Sequence, residues 1–161
     1  MFEYTICFIM QQDKVLLLNR EKPSWMGRWN GVGGSLEYGE TPKECVIREV
    51  MEETGIKLEE VKFKGVVTWT IDDKPSGGMY AFVSEIKESF KYVTPRKVDE
   101  GILDWKRVDW ILHPKNTGVA DNLPYFLPIM LKDKGLYEHR CYFKGNSIKK
   151  VETKPMESIV T

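Results

Sequence analysis

The sequence predicts an α/β fold in which a mixed β-sheet carries a helix on each side. Three observations point there. Short apolar runs of strand-like composition recur along most of the 161 residues. The segment 42–54 carries both start and stop signals of a helix. Helical and strand-like runs mix without a strict strand–helix–strand rhythm, which favours a mixed sheet. The length suits one domain, 1–161, with a sizeable core. No internal repeat, linker or low-complexity block divides it.

Residues 2–10 (FEYTICFIM) and 14–19 (KVLLLN) read as two strands around a QQD turn. Residues 20–30 (REKPSWMGRWN) read as a loop with Pro, Gly and Trp. Thr41 is the expected N-cap of the first helix, Pro42 its first residue, and Glu44 completes a capping box. Gly55 is the expected stop. Strands follow at 61–71 and 79–87, with DDKPSGG as the link between them, and a short one at 102–107. Residues 122–132 (NLPYFLPIMLK) read as a second helix, with Asp121 or Asn122 as N-cap and Pro124 in the first turn. Two closing strands, 136–144 and 147–153, flank a Gly145–Asn146 turn, and the last ten residues are polar enough to fray.

Composition narrows the function classes. Hydrophobic residues make up 42% and charged residues 30%, as in an ordinary soluble globular protein. The 24 basic and 24 acidic residues cancel, so no footprint for duplex nucleic acid is expected. The only small basic patches are 91–97 and 132–134. No run is long enough to span a bilayer, and the opening lacks the pattern of a secretion signal. Cys7, Cys45 and Cys141 are odd in number and far apart. They suggest neither a disulfide framework nor a zinc site, and a reducing cytoplasm is the expected location.

The first helix is strongly acidic. At about 100° per residue Glu49, Glu52 and Glu53 fall on one face, and Val46, Ile47, Val50 and Met51 cover much of the other. Most acidic helical faces are simply solvated. Here Glu52 and Glu53 sit at the C-terminal end, where the helix dipole disfavours negative charge. The chain leading in is rich in glycine (Gly31, Gly33, Gly34), as needed where backbone approaches a ligand. Carboxylates with a nearby backbone carbonyl form a hard oxygen donor set that suits Mg²⁺ held together with a substrate phosphate.

From Gly34 through Glu40 to Arg48-Glu49-Val50-Met51-Glu52-Glu53-Thr54-Gly55-Ile56, every fixed position of the Nudix hydrolase signature is filled. The sequence therefore resembles that family. The resemblance implies an α/β/α sandwich around a mixed sheet and cleavage of a nucleoside diphosphate linked to another group, with Mg²⁺ or sometimes Mn²⁺. It implies that Glu49, Glu52, Glu53 and the Gly33 carbonyl hold metal, that Arg48 orients a glutamate, and that Glu40 is structural. In the MutT-type branch a later loop supplies a further glutamate, matched best by Glu100. Metal ions neutralise phosphate oxygens and acidify a bound water. Glu49, Glu53 or Glu100 could then accept the proton.

GRWNGVGG (27–34) resembles the same stretch of the MutT-type hydrolases of oxidised purine nucleotides, as does the stretch from Asp121 to the Gly145 turn. That likeness implies a base read by Asn30 and by Asp121 with Asn122, one acid of a pair being an amide here. It implies apolar pocket walls at Trp69 and Met79, with Trp25 as a stacking candidate. Tyr4, Cys7, Tyr125 and Phe126 read as packing, and neither His113 nor His139 shows a catalytic pattern. The expected reaction is hydrolysis of a nucleoside triphosphate such as 8-oxo-dGTP to monophosphate and pyrophosphate. ADP-ribose, a nucleotide-sugar and an RNA 5′ end are alternative substrates. A non-catalytic nucleotide-sensing module is the alternative of another class, although such modules usually lose signature glutamates and all are present here. The partner expected is a small nucleotide, with a monomer plausible.

Overall fold

A computed structural model describes residues 1–157. Nine strands form one mixed sheet: β1 (Tyr4–Gln11), β2 (Lys14–Arg20), β3 (Trp29–Asn30), β4 (Lys62–Ile71), β5 (Lys74–Glu85), β6 (Arg96–Val98), β7 (Gly101–Arg107), β8 (Tyr137–Lys144) and β9 (Ser147–Pro155). The order is β6-β7-β2-β1-β5-β4-β8-β9, with β3 on β2. Pairing is parallel between β1 and β5 and between β4 and β8, and antiparallel elsewhere. The helices are α1 (Pro42–Thr54), a short α2 (Val108–Ile111) and α3 (Leu123–Lys132).

The central strands are apolar on both faces because both faces are covered. In β1, Cys7 and Ile9 join Val46 and Val50 of α1 in one buried cluster. Their neighbours Ile6 and Phe8 point the other way and join Leu123, Phe126 and Leu127 of α3 in a second cluster. Phe8 and Phe126 meet edge to face, ring centroids 5.9 Å apart. The α/β architecture with a helix on each side is thus present.

Local signals held with instructive exceptions. The capping box on Thr41 and Glu44 is formed, at 3.1 and 3.0 Å. Gly55 ends α1 in the left-handed region and donates to Met51 O. Met51 is exposed, however, and the buried face of α1 is completed by Cys45 and Thr54. The β4–β5 hairpin turns tightly at Asp72–Asp73, so β5 begins five residues before the expected start at 79. Trp29–Asn30, read as loop, pairs with Leu18 and Asn19. Asn122 occupies the N-cap position of α3 without a capping hydrogen bond, because its backbone is already helical and its side chain turns to β8. Cys7 and Phe126 pack in the core, whereas Tyr4 and Tyr125 lie at the surface. Of the ten C-terminal residues expected to fray, those up to Pro155 pair in β9, and 158–161 lie outside the described residues. The three cysteines are free and buried. No helix among the described residues is long and apolar enough to cross a membrane.

Candidate active site

The site begins with backbone. Residues 32–34 run alongside β1: Cys7 and Val32 exchange hydrogen bonds, and Thr5 N donates to Gly34 O at 2.9 Å. The approach is too close for side chains. A Cβ on Gly33 would lie 2.0 Å from Thr5 O, and one on Gly34 would lie 2.3 Å from the carboxyl carbon of Glu49. These glycines let the loop lie flat between β1 and α1, beneath the glutamates.

Arg48 organises one half of the acidic face. Its guanidinium grips Glu40 with two bonds, Nε to Oε2 at 2.6 Å and Nη2 to Oε1 at 2.9 Å. Nη1 donates to Glu49 Oε1 at 3.0 Å and to Glu52 Oε2 at 3.2 Å, and Nη2 also reaches Ser35 O. The Arg48 hydrogen bond is the main cause holding the Glu40 carboxyl down to about 2. Glu40 also accepts from the Glu37 amide, so it is a clamp between loop and helix. Glu52 remains 58% exposed, whereas the Glu49 side chain is only 17% exposed. Burial raises the Glu49 carboxyl, opposed by Arg48.

Glu53 is the other half. Its Oε2 accepts from the Gly33 N–H at 3.1 Å. Among the described residues it has no salt bridge. Burial pushes its carboxyl up to about 8, and the charges of Glu49 and Glu100 push the same way, while Gly33 and Arg20 oppose them. Glu100 lies between β6 and β7, and its carbonyl receives the Glu21 amide.

The structure therefore brings Glu49, Glu53, Glu100 and Gly33 into one neighbourhood, with Glu52 at its rim. Within the α1 face the three glutamates take different partners. Among the described residues, no group of three acidic, His or Cys side chains is arranged as a ready metal site. Arg48 draws Glu49 and Glu52 toward itself, and Glu53 turns to the loop. Gly33 meets Glu53 through its N–H. The donor set nonetheless suits a hard divalent cation. It offers carboxylate oxygens, two of them on residues whose charged form burial disfavours, and Glu53 has no positive partner.

On the α3 side, Trp69 and Met79 are half-buried against the second cluster, together with Trp25 and Trp29. Trp25 packs on Phe143, ring centroids 6.4 Å apart. Asn122 is 5% exposed, and its amide faces Cys141, the β8 partner of Trp69. Trp69, Met79 and Asn122 thus share this face. Asp121 does not join Asn122 as a pair, because Arg28 holds its carboxylate at 2.6 Å. Asn30 Oδ1 accepts from the neighbouring Gly31 amide. Arg20, missed in the sequence, ends β2 on the α1 side and supplies the positive charge felt by Glu53. Alternation with Leu16 and Leu18 would have placed it there.

The decisive comparison is with protein families: the NUDIX domain model matches residues 3–125. The chain belongs to the Nudix family. It is 35% identical over 136 residues to the uncharacterized Nudix hydrolase YvcI of Bacillus subtilis, covering 82% of this chain and 80% of that protein. It is 27% identical over 139 residues to the oxidized purine nucleoside triphosphate hydrolase of Mus musculus, covering 84% and 83%. Among solved structures it is similar to the Mutator MutT protein of Bacillus halodurans. There the TM-score is 0.76 at 26% identity, covering 98% of this chain and 100% of that one. This Nudix protein is a hydrolase of pyrophosphate bonds, in a family whose hydrolases generally need divalent metal ions.

Proposed function

We propose that this Nudix hydrolase cleaves nucleoside triphosphates to monophosphate and pyrophosphate, with oxidised purine nucleotides such as 8-oxo-dGTP as its substrates and Mg²⁺ as its metal. The observation that carries the chemistry is Glu53: half-buried, without a salt bridge, and beside Glu49, Glu100 and the Gly33 loop. Glu49, Glu52, Glu53, Glu100 and the Gly33 backbone are the groups that would hold the cation. When bound, it supplies positive charge against the phosphate oxygens and acidifies water. The chain's own residues do the rest. Arg48 fixes Glu49 and, through Glu40, the loop that carries Gly33. Water attacks phosphorus, the bond to the leaving pyrophosphate oxygen breaks, and a carboxylate takes the water's proton. Glu53 is the best-supported acceptor, because burial lifts its carboxyl to about 8 and, among the described residues, no salt bridge holds it ionised.

The base reading rests on Asn122. It is a buried amide against Cys141, the strand partner of Trp69, and an amide offers both a donor and an acceptor to a purine edge. The mouse and zebrafish relatives named as oxidized purine nucleoside triphosphate hydrolases support the same substrate class. Asp121 contributes by anchoring Arg28, and Asn30 by fixing the turn into the glycine loop. Steady-state kinetics with Mg²⁺ against a nucleotide panel tests this. A higher kcat/KM for 8-oxo-dGTP than for dGTP is expected, and equal values would rule out the sanitising role.

A further inference from the structure

Only two buried side-chain polar atoms among the described residues lack a hydrogen-bond partner: Asn122 Oδ1 and His139 Nε2. Such atoms are rare, and costly when left unmatched. Finding both in the same seam between α3 and β8 is informative. Asn122 leans on Cys141, its Nδ2 at 3.8 Å from the sulfur. One helical turn later Phe126 meets the His139 ring edge to face, centroids 5.8 Å apart. His139 and Cys141 alternate onto the same face of β8. The two unmatched atoms thus belong to one seam, on residues linked through Cys141 and Phe126. They are 5% and 0% exposed.

The chemistry of the two is complementary. Asn122 Oδ1 only accepts. His139 Nδ1 lies 2.9 Å from Thr153 Oγ1, a hydroxyl able to donate to it. With Nδ1 accepting, the proton of a neutral imidazole sits on Nε2, which becomes a donor. Burial pushes the imidazole down to about 4, so the ring is neutral near pH 7. The opposite tautomer would leave both unmatched atoms acceptors, with no donor in the seam for either.

We propose that His139 is a positioning residue for Asn122: in its Nε2–H tautomer it supplies, through one buried water, the donor that Asn122 Oδ1 lacks. This fixes the orientation of the amide, with its NH₂ end on the sulfur of Cys141, the strand partner of Trp69. It rests on the reading that Asn122 contacts the base. The consequence is selectivity. An amide free to flip greets a base acceptor and a base donor alike, whereas a fixed one discriminates.

Isosteric variants separate the two ring nitrogens. His139→Gln keeps a donor near the Nε2 position, and His139→Asn keeps the Thr153 partner but loses the donor. With 8-oxo-dGTP and dGTP as probes and Mg²⁺ present, His139→Asn should raise KM for the preferred nucleotide about tenfold, with a far smaller change in kcat. His139→Gln should stay near wild type. In an Asn122→Ala background the His139→Asn effect should vanish. Wild-type KM values in His139→Asn, or an undiminished effect in the Asn122→Ala background, would overturn the proposal. If Asn122→Ala alone leaves both KM values unchanged, the base reading itself fails, and that result is distinguishable. Should the variants fold poorly, long-range ¹H–¹⁵N spectra of the wild-type protein decide. A protonated Nε2 in His139 is expected, and a protonated Nδ1 with bare Nε2 contradicts the proposal.

Discussion

The two faces of the sheet solve opposite problems. On the α1 side, charge is abundant: Glu40, Glu49 and Glu52 surround one arginine, and Glu53 stands apart with no salt bridge among the described residues. On the α3 side, beyond the Arg28–Asp121 pair at its edge, the buried polar groups Asn122 and His139 are set among aromatic and apolar side chains. The first face suits the invariant part of a reaction, a polyphosphate with its cation. The second suits the variable part, a flat base whose edge must be read in a dry setting. The contrast teaches that electrostatics concentrates along one short helix, whereas recognition is gathered from several strands and a helix end.

The largest effect that sharpens this contrast comes from Glu53→Gln. Turnover should fall by about three orders of magnitude with the fold intact, since a general base and a metal-holding oxygen go together. A change under tenfold would break the assignment of chemistry to this face. Arg48→Ala should come next. It strips the guanidinium from Glu40 and Glu49, both largely buried, and should lower stability by about 2–3 kcal/mol, or a Tm drop of roughly 5–10 °C, as well as activity. Asn122→Ala and Trp69→Ala should act on the other side, raising KM for the preferred nucleotide about tenfold while sparing kcat.

A subtler test uses pH. The folded pKa of Glu53 lies above its ordinary value, so between about 4.5 and 8 the folded state holds more protons than the unfolded one. Stability from this group is full below the ordinary carboxylate range and is lost as pH rises toward 8. Metal-free protein should therefore melt lower at pH 8.5 than at pH 6, and Glu53→Gln should flatten that slope. Smallest of all is Asp121→Asn, which removes a one-third-exposed ion pair with Arg28. It should cost under about 1 kcal/mol and shift Tm by no more than roughly 2–4 °C.

The same contrast explains what was legible in the sequence. The α1 face could be read because capping, helical period and glycine spacing are local signals; Thr41, Glu44 and Gly55 behave as their types require. Where the carboxylates point could not be read. That depends on Arg48 reaching Glu49 and Glu52 and on Gly33 offering its N–H, both products of tertiary contact. The α3 face was less legible still. Asn122 carried an ordinary N-cap signal, yet its side chain serves β8, some twenty residues away. Asp121 promised a partner for Asn122, but Arg28, distant in sequence, holds it. The pairing of His139 with Thr153 and Phe126 became visible only once β9 and α3 were packed on β8.

Calorimetric titration of Mg²⁺ into nucleotide-free protein at pH 7.5, in two buffers of different ionisation enthalpy, tests the central claim most directly. Binding should displace roughly half a proton or more, because a carboxyl lifted to about 8 must ionise to meet the cation. In Glu53→Gln that release should disappear and affinity should weaken. Mg²⁺ binding with no proton release, unchanged by the substitution, would contradict the account.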